Sequence, residues 1–214
     1  AYEALFSSAN VPIRVGVYHV ATDPTCGDPL TSSVPPTRFW KNGIKVWSDG
    51  TTFIGTLAAS FPYIDNPTTR NADIPMGVGG TAMMNYTREQ FDAILDQHAA
   101  SGLQMATHAH GDVAVDMVLD AYAEALARHN LLGTDHRWRV EHWSAARADQ
   151  FQRAVELGVA TPMASYQFMD LGDLLDGTLF PSEIGSQWVA VADAIKAGCR
   201  VSFHSDSPVS PVTP

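Results

Sequence analysis

The chain has 214 residues, of which 45% are hydrophobic and 17% charged, a composition typical of a folded globular domain rather than a disordered segment. Its formal net charge of −10 argues against a nucleic-acid partner, because such proteins present a basic face. The sequence contains no apolar run near the ~18 residues that cross a bilayer and no signal peptide, so we expect no membrane contact. The two cysteines form no CxxC pair, which predicts a reduced, cytoplasmic protein without a disulfide scaffold.

Predicted strands and helices alternate along the chain. Short β-branched, apolar runs predict strands, and apolar residues at helical spacing that stop at a glycine predict helices. The predicted strands are residues 12–20, 43–50, 103–108, 137–143, 159–165 and 199–204. The predicted helices are residues 87–102, 113–132, 145–157 and 187–197. Strands that alternate with helices in this way predict a parallel sheet.

Two parallel architectures, a doubly wound sheet and a (β/α)8 barrel, both give this alternation. No GxGxxG motif or P-loop follows a predicted strand, so nothing supports nucleotide binding. A barrel normally needs about eight strands and ~250 residues, whereas the sequence predicts six strands and both of its ends are abrupt. We therefore interpret residues 1–214 as one domain that forms part of a TIM barrel in a longer polypeptide.

The segment at about residues 51–85 has few periodic signals and many Gly, Pro, Asn and Thr residues. A loop of this length in a compact domain is usually a functional lid or is partly ordered. We predict that it is a long active-site loop.

Two histidines stand one residue apart at the end of the third predicted strand. His108 and His110 belong to the run Thr-His-Ala-His-Gly-Asp, and residues i and i+2 of a strand share a face. Neutral imidazole is the commonest protein metal ligand, and barrels place their functional groups at the C-terminal ends of strands. Alone, the pair is equally compatible with ordinary strand-end histidines.

Polar side chains also stand at the ends of three other predicted strands, and in a barrel these ends converge on one face. Lys45, one of three lysines, lies within an otherwise apolar strand, where burial forces a lysine to pair, to shift its pKa or to be chemically modified. An ion pair with an acidic neighbour is the plain alternative. The other strand-end residues are Glu141, His142, His204 and Asp206.

Four motifs in this order resemble the amidohydrolase superfamily and, within it, the amidohydrolase family 3 (YtcJ-like) metal-dependent hydrolases. The motifs are IKVWSDG at residues 44–50, HAHGD at 108–112, RVEH at 139–142 and HSDSP at 204–208. The resemblance covers what would be the third to the eighth strand of the family's barrel. It implies a metal-dependent hydrolase that acts on C–N bonds other than peptide bonds, in an amide or cyclic amide, with a small-molecule substrate.

The resemblance also implies a role for each position. Lys45 would be the lysine that is carboxylated on its amine to bridge two metal ions, and His108 and His142 would be metal ligands. Asp206 would bind metal and act as the general base that takes a proton from the attacking water. The implied cofactor is a divalent metal, with zinc as the first candidate and one or two ions in the parent protein.

Two features depart from the family pattern. No His-x-His pair precedes Lys45, because His19 stands alone, so one metal position lacks two ligands and we expect this chain by itself to bind at most about one metal ion. His110 stands where the pattern has a more ordinary residue. We keep His110 and His204 as candidates for contact with the substrate.

The missing pair leaves a second hypothesis open, in which the chain is a catalytically incomplete amidohydrolase-like domain with a binding or regulatory role. A phosphoesterase that uses the same metal centre is a third hypothesis. A barrel of six strands also leaves both outer strands open, so we expect a homo-oligomer, or a missing N-terminal segment, to cover the open edge.

Two acidic residues, Glu141 and Asp112, are predicted to have structural roles. Glu141 is adjacent to the predicted ligand His142, so it should face away from the barrel axis and pair with Arg137 or Arg139. Asp112 is expected to cap the helix that follows it.

Overall fold

Six parallel strands form one sheet in the computed structural model, which describes residues 13–210. The order in the sheet is the order in the sequence, without the reversal of a doubly wound sheet. Across the described residues, the first and last strands do not pair with each other, so the prediction of an incomplete (β/α)8 barrel is confirmed. The strands are β1 (Val15–Val20), β2 (Phe39–Trp47), β3 (Gln104–Ala109), β4 (Arg139–His142), β5 (Thr161–Met163) and β6 (Val201–Phe203).

Helices connect most of these strands and cover one face of the sheet. They are α1 (Pro67–Asn71), α2 (Arg88–His98), α3 (Asp112–Arg128), α4 (Ala148–Leu157), α5 (Tyr166–Leu175), α6 (Ser182–Gly185) and α7 (Val191–Ala197). Helix α2 begins with a capping box, in which the side chain of Thr87 accepts a hydrogen bond from the N–H of Gln90. In the described part of the chain, no helix has the length and apolar character that a membrane span requires.

Alternation along the strands separates a packed face from a polar face. Ile44, Val46, Met105 and Val140 are fully buried and belong to one large apolar core with the inner residues of the helices. The residues between them in sequence point to the opposite face of the sheet, which is the inner side of the barrel. Lys45 points to the inner side, and its partner in the parallel register is Ala106 on β3. This alternation decides which side chains can meet in the barrel.

The segment at residues 51–85 is an ordered connection that packs against the barrel, and not a loose lid. It contains α1 and two short 3-10 helices, Thr52–Ile54 and Gly80–Met83. Leu57, Ala58 and Ala59 are almost completely buried. Its predicted role in substrate binding remains a prediction.

Several boundaries differ from the sequence predictions. The second strand begins earlier, at Phe39, and the last helix begins later, at Val191. The sequence predicts no helix between residues 158 and 186, yet residues 166–175 form α5 with Gly172 inside the helix. Glycine weakens a helix by only about 1 kcal/mol, which the burial of Leu175 and Tyr166 offsets. The predicted start of the first strand at residue 12 and both chain ends lie outside the described residues.

Candidate metal centre

Four histidine rings form one cluster at the C-terminal ends of β3, β4 and β6. The ring centroids of His108 and His110 are 4.4 Å apart and stack at 11°. The ring of His142 stands edge-on to both, at 4.6 Å from each. The ring of His204 lies 4.9 Å from that of His142 on its other side. The structure thus brings together the four histidines that the sequence singled out.

His142 reaches this cluster through an unusual backbone conformation. In the parallel register Glu141 is opposite His108, so His142 itself would point to the other face of the sheet. Its φ of 78°, followed by a φ of 55° at Trp143, is in the left-handed region that non-glycine residues rarely adopt. The indole N–H of Trp143 donates to the carbonyl of Val140 at 2.7 Å and holds this turn. The left-handed turn redirects the imidazole into the barrel mouth.

Asp49 organises the backbone beneath the histidines, and the sequence analysis gave it no role. Its carboxylate accepts hydrogen bonds from the backbone N–H groups of His110 at 3.0 Å, Gly111 at 2.9 Å and Ala58 at 3.2 Å. Burial raises the pKa of Asp49 to about 7, although these three hydrogen bonds lower it. A carboxylate placed directly after a strand end, within Ser-Asp-Gly, was the available signal.

The residues after Asp49 contact the two stacked rings directly. Nε2 of His108 donates to the carbonyl of Gly50 at 2.8 Å and lies 3.5 Å from the Asp49 carboxylate. Nδ1 of His110 lies 3.3 Å from the hydroxyl of Thr52. These contacts orient the rings in the way that outer partners orient metal-binding histidines.

Lys45 lies on the inner side of the barrel among other charged groups. Burial lowers its pKa, while the charges of Glu141 and Asp206 raise it and that of Arg139 lowers it. Its Nζ atom is 5.4 Å from the centroid of the Trp47 ring. The lysine thus has an aromatic ring close to its amine and is influenced by the charges of two carboxylates.

The orientation predicted for Glu141 is wrong, although its pairing is right. Glu141 and Arg139 are two residues apart on one strand, so they share a face, and Arg139 Nε lies 2.5 Å from Glu141 Oε1. The register puts Glu141 in the row of His108, on the inner side of the barrel. The error arose because adjacency to His142 implies opposite faces only when the backbone is extended at both residues.

Asp206 follows β6 and is exposed, in a left-handed conformation with a φ of 54°. Its charge raises the pKa of Lys45. Burial lowers the pKa of the half-buried His204, and the charge of Asp206 raises it. The Nε2 atom of His204 is buried without a hydrogen-bond partner in the described part of the chain. His204 thus contacts His142 from the end of the last strand, and Asp206 follows His204 two residues later.

Burial keeps the histidines of the cluster neutral. Burial lowers the pKa of His108 to about 4, with the charge of Lys45 acting in the same direction and the hydrogen bond to Gly50 raising it. Burial also lowers the pKa of His110 and of His142 well below the usual value, and their imidazole neighbours and Lys45 act in the same direction. A neutral imidazole has a free lone pair, which is the form that binds metal.

His19 is isolated, as the sequence predicts, whereas the predicted role of Asp112 as a helix cap is wrong. His19 lies opposite Ile44, on the packed face, and bonds to Asp23 at 3.0 Å, so it does not substitute for the missing pair. Asp112 is the first residue of α3 rather than its cap. Its carboxylate accepts hydrogen bonds from the backbone N–H of Ser60 at 2.8 Å and from its hydroxyl at 2.6 Å. Asp112 therefore ties the 51–85 segment to the barrel.

The side chains of the cluster fit a divalent metal. One ligand atom from each of His108, His110 and His142 lies within 4.8 Å of the other two. The Nδ1 atom of His142 is buried and, among the described residues, has no hydrogen-bond partner, so it is available to a metal ion. Three imidazoles with carboxylates nearby are a donor set that suits zinc, iron or manganese.

An incomplete parallel barrel with a histidine cluster at its strand ends defines the class of metal-binding (β/α)8 proteins. The chain belongs to the amidohydrolase family, whose model matches residues 4–214. The match extends over nearly the whole sequence, so the resemblance carried by the four motifs is confirmed.

Known proteins of similar sequence are much longer than this chain. An N-substituted formamide deformylase of Arthrobacter pascens is 30% identical over 138 residues, 60% of this chain and 23% of that protein. The protein LONG AFTER FAR-RED 3 of Arabidopsis thaliana is 25% identical over 174 residues, 80% of this chain and 27% of its own length. The chain therefore spans about a quarter of the curated relatives that it matches.

Solved structures share the fold. An uncharacterized metal-dependent hydrolase of Pyrococcus furiosus matches 97% of this chain and 40% of its own, with a TM-score of 0.71 and 24% identity. A second, from Pyrococcus horikoshii, matches 97% of this chain and 38% of its own, with a TM-score of 0.70 and 25% identity.

Proposed function

We propose that the protein carrying this chain is a metal-dependent hydrolase of amide C–N bonds, with Lys45, His108, His142 and Asp206 around the metal. The observation that carries the proposal is the approach of two buried rings, those of His108 and His142, to 4.6 Å at the strand ends of an amidohydrolase barrel. A divalent metal bound there supplies a Lewis acid for the carbonyl and lowers the pKa of water to ~7.

Each proposed residue has a distinct task. His108 and His142 hold the metal through neutral imidazoles, since their burial disfavours protonation. Carboxylation of the neutral amine of the half-buried Lys45 by CO2, with release of one proton, would give a carbamate, whose carboxylate could hold a divalent metal. Asp206, exposed at the end of β6, accepts the proton of the attacking water.

An N-substituted amide is the substrate class that we propose. The formamide deformylase of Arthrobacter pascens, which is 30% identical over 138 residues, supports this class. His204 adjoins His142 and stands two residues before Asp206, so we assign it to contact with the substrate carbonyl or amide. Zinc is the metal that we propose, because imidazole and carboxylate donors suit it.

A second candidate is an amidohydrolase-like domain that binds a ligand without hydrolysing it. The position of His19 on the packed face favours this candidate, because nothing before Lys45 in the described residues adds a histidine to the inner side. Removal of two ligands from a two-metal site leaves one metal position without its donors.

The direct test is formate release from an N-substituted formamide by the zinc-loaded protein and by its Asp206→Asn variant. The variant keeps the shape of the side chain but loses the proton acceptor, so kcat should fall by about 10²–10⁴-fold. Asp193→Asn on the exposed start of α7 is the matched control. Near-normal turnover by Asp206→Asn would show that another group is the base. No turnover by the metal-loaded wild type across a panel of amides would favour the binding domain.

A further inference from the structure

We propose that His110 is a third metal ligand, so that His108, His110 and His142 together bind one divalent metal ion within this chain. The inference rests on the proposed metal centre but goes beyond it, because the family resemblance gives His110 no role. It replaces the earlier expectation that His110 contacts the substrate.

The three rings lie at nearly equal distances from one another. Their centroids are separated by 4.4, 4.6 and 4.6 Å, which is close to an equilateral triangle. Tetrahedral ligands at ~2.1 Å from a metal have nitrogens about 3.4 Å apart. The ligand atoms here lie within 4.8 Å of one another, so modest rotations of the rings complete the site. His204 lies beside His142 alone and is not part of this triangle.

One ring nitrogen of His108 and one of His110 lie within hydrogen-bond distance of a protein oxygen. His108 donates from Nε2 to the carbonyl of Gly50, which fixes the proton on that atom and leaves the Nδ1 lone pair free. His110 has its Nδ1 3.3 Å from the Thr52 hydroxyl, and a bond from Nδ1–H to that oxygen leaves the Nε2 lone pair free. One ring nitrogen bonded to the protein and the other free is the usual state of a metal-binding histidine.

Of the three histidines, His142 gives the clearest indication that a metal ion binds in this cluster. The residue is only 2% exposed, and its Nδ1 has no hydrogen-bond partner within residues 13–210. A buried polar atom without a partner is destabilising unless a bound ion or water satisfies it. The ring of His142 lies 4.6 Å from the rings of both His108 and His110, so a metal ion bound by all three residues would satisfy this atom.

The position of His110 is imposed by the fold rather than by chance contact. Its backbone N–H is held by Asp49, and the following N–H, of Gly111, is held by the same carboxylate. Its ring is buried between His108 and His142, where it has no access to bulk solvent. A third imidazole here compensates in part for the histidines that do not precede Lys45.

Cobalt(II) is the probe for direct ligation, because its visible absorption reports the number and kind of ligands. We would titrate Co²⁺ into the full 214-residue chain and into His110→Phe, His110→Cys and the surface control His129→Asn, and measure affinity with the spectrum. His110→Phe should weaken cobalt binding more than about 100-fold, beyond the 10–100-fold typical of outer partners. The control should bind as the wild type does.

The cysteine variant keeps the test valid if the phenylalanine variant does not fold. A thiolate bound to cobalt gives an intense near-ultraviolet charge-transfer band, so His110→Cys should gain a band that the wild type lacks. Cobalt bound by His110→Cys without this band, or wild-type affinity in a folded His110→Phe, would overturn the inference. If His108→Phe and His142→Phe lose cobalt while His110→Phe keeps it, the inference fails and the proposed metal centre stands. Unchanged binding in His108→Phe and His142→Phe would reject the centre itself.

Discussion

The carboxylate of Asp49 accepts a hydrogen bond of 3.0 Å from the backbone N–H of His110 and one of 2.9 Å from that of Gly111. The two N–H groups belong to the turn between β3 and α3, and Asp49 follows β2. The carboxylate thus joins the ends of two neighbouring strands at the level of the histidine cluster. It also accepts from Ala58, which brings the 51–85 segment into the same network.

We expect Asp49→Asn to destabilise the protein by about 1–3 kcal/mol at pH 8, because an amide NH2 would replace an acceptor that faces buried N–H donors. Urea unfolding measures the change. Asp28→Asn, on an exposed loop, is the control and should have little effect. Equal stability of Asp49→Asn and the wild type would mean that the carboxylate does not hold this turn.

Gly111 allows the 51–85 segment to approach the start of α3. A Cβ atom at this position would lie 1.9 Å from the carbonyl oxygen of Ala58, which itself accepts from the N–H groups of Val113 and Ala114. We expect Gly111→Ala to lower the free energy of unfolding by about 1–3 kcal/mol or more, since backbone must move.

Gly172→Ala is the matched control for that variant. Gly172 lies inside α5, and an added Cβ would meet no atom within 4 Å. Alanine favours a helix over glycine by about 0.5–1 kcal/mol, so this variant should be more stable than the wild type. A similar loss of stability in both variants, measured by urea unfolding, would contradict the clash at Ala58.

His136 makes stability depend on pH. Its Nδ1 accepts a hydrogen bond of 2.9 Å from the N–H of Trp138, and its Nε2 donates to the carbonyl of Leu157 at 2.9 Å, so the ring must be neutral. Burial lowers its pKa from 6.5 in the folded chain, while the unfolded chain keeps the usual value. The stabilisation is therefore complete above about pH 6.5 and is lost as the pH falls through the lowered value.

We expect the free energy of unfolding to fall less between pH 7.5 and about pH 5.5 in His136→Gln than in the wild type. The other buried histidines are common to both proteins, so the difference between the two slopes isolates His136. Denaturant unfolding at each pH gives the comparison. Parallel slopes would show that His136 gains its proton equally in both states.

The strand ends were predictable, whereas the directions of some side chains were not. Alternation put Lys45 and His108 on one face, because β2 and β3 are regular and their register keeps that face. The direction of His142 depends on a left-handed backbone at two consecutive non-glycine residues, which no propensity indicates. The same turn made the prediction for Glu141 wrong. Sequence alternation predicts faces only where the strand continues.

The role of Asp49 could not be predicted for a different reason. Its three donors come from residues 58, 110 and 111, which meet only after β2, the 51–85 segment and β3 have assembled. Long-range contacts of this kind leave no local pattern in the sequence. The Ser-Asp-Gly run directly after a predicted strand was a signal for a structural carboxylate, but it did not identify the backbone N–H groups that donate to it.

The outer strands of the sheet provide the last prediction. The six residues of β1 are all half-buried, and in β6 the side chain of Phe203 is 59% exposed. An open strand edge with exposed apolar residues is an association surface. We propose that a second copy of the chain, or a further segment of the polypeptide, covers this edge.

The 214-residue chain alone should therefore self-associate, and its weight-average mass should rise with concentration in analytical ultracentrifugation. Phe203→Ser should weaken this association, whereas Met169→Ser on α5, which removes a side chain that is 72% exposed, should leave it unchanged. A wild-type chain that sediments as a monomer at every concentration would show that the open edge is tolerated in water.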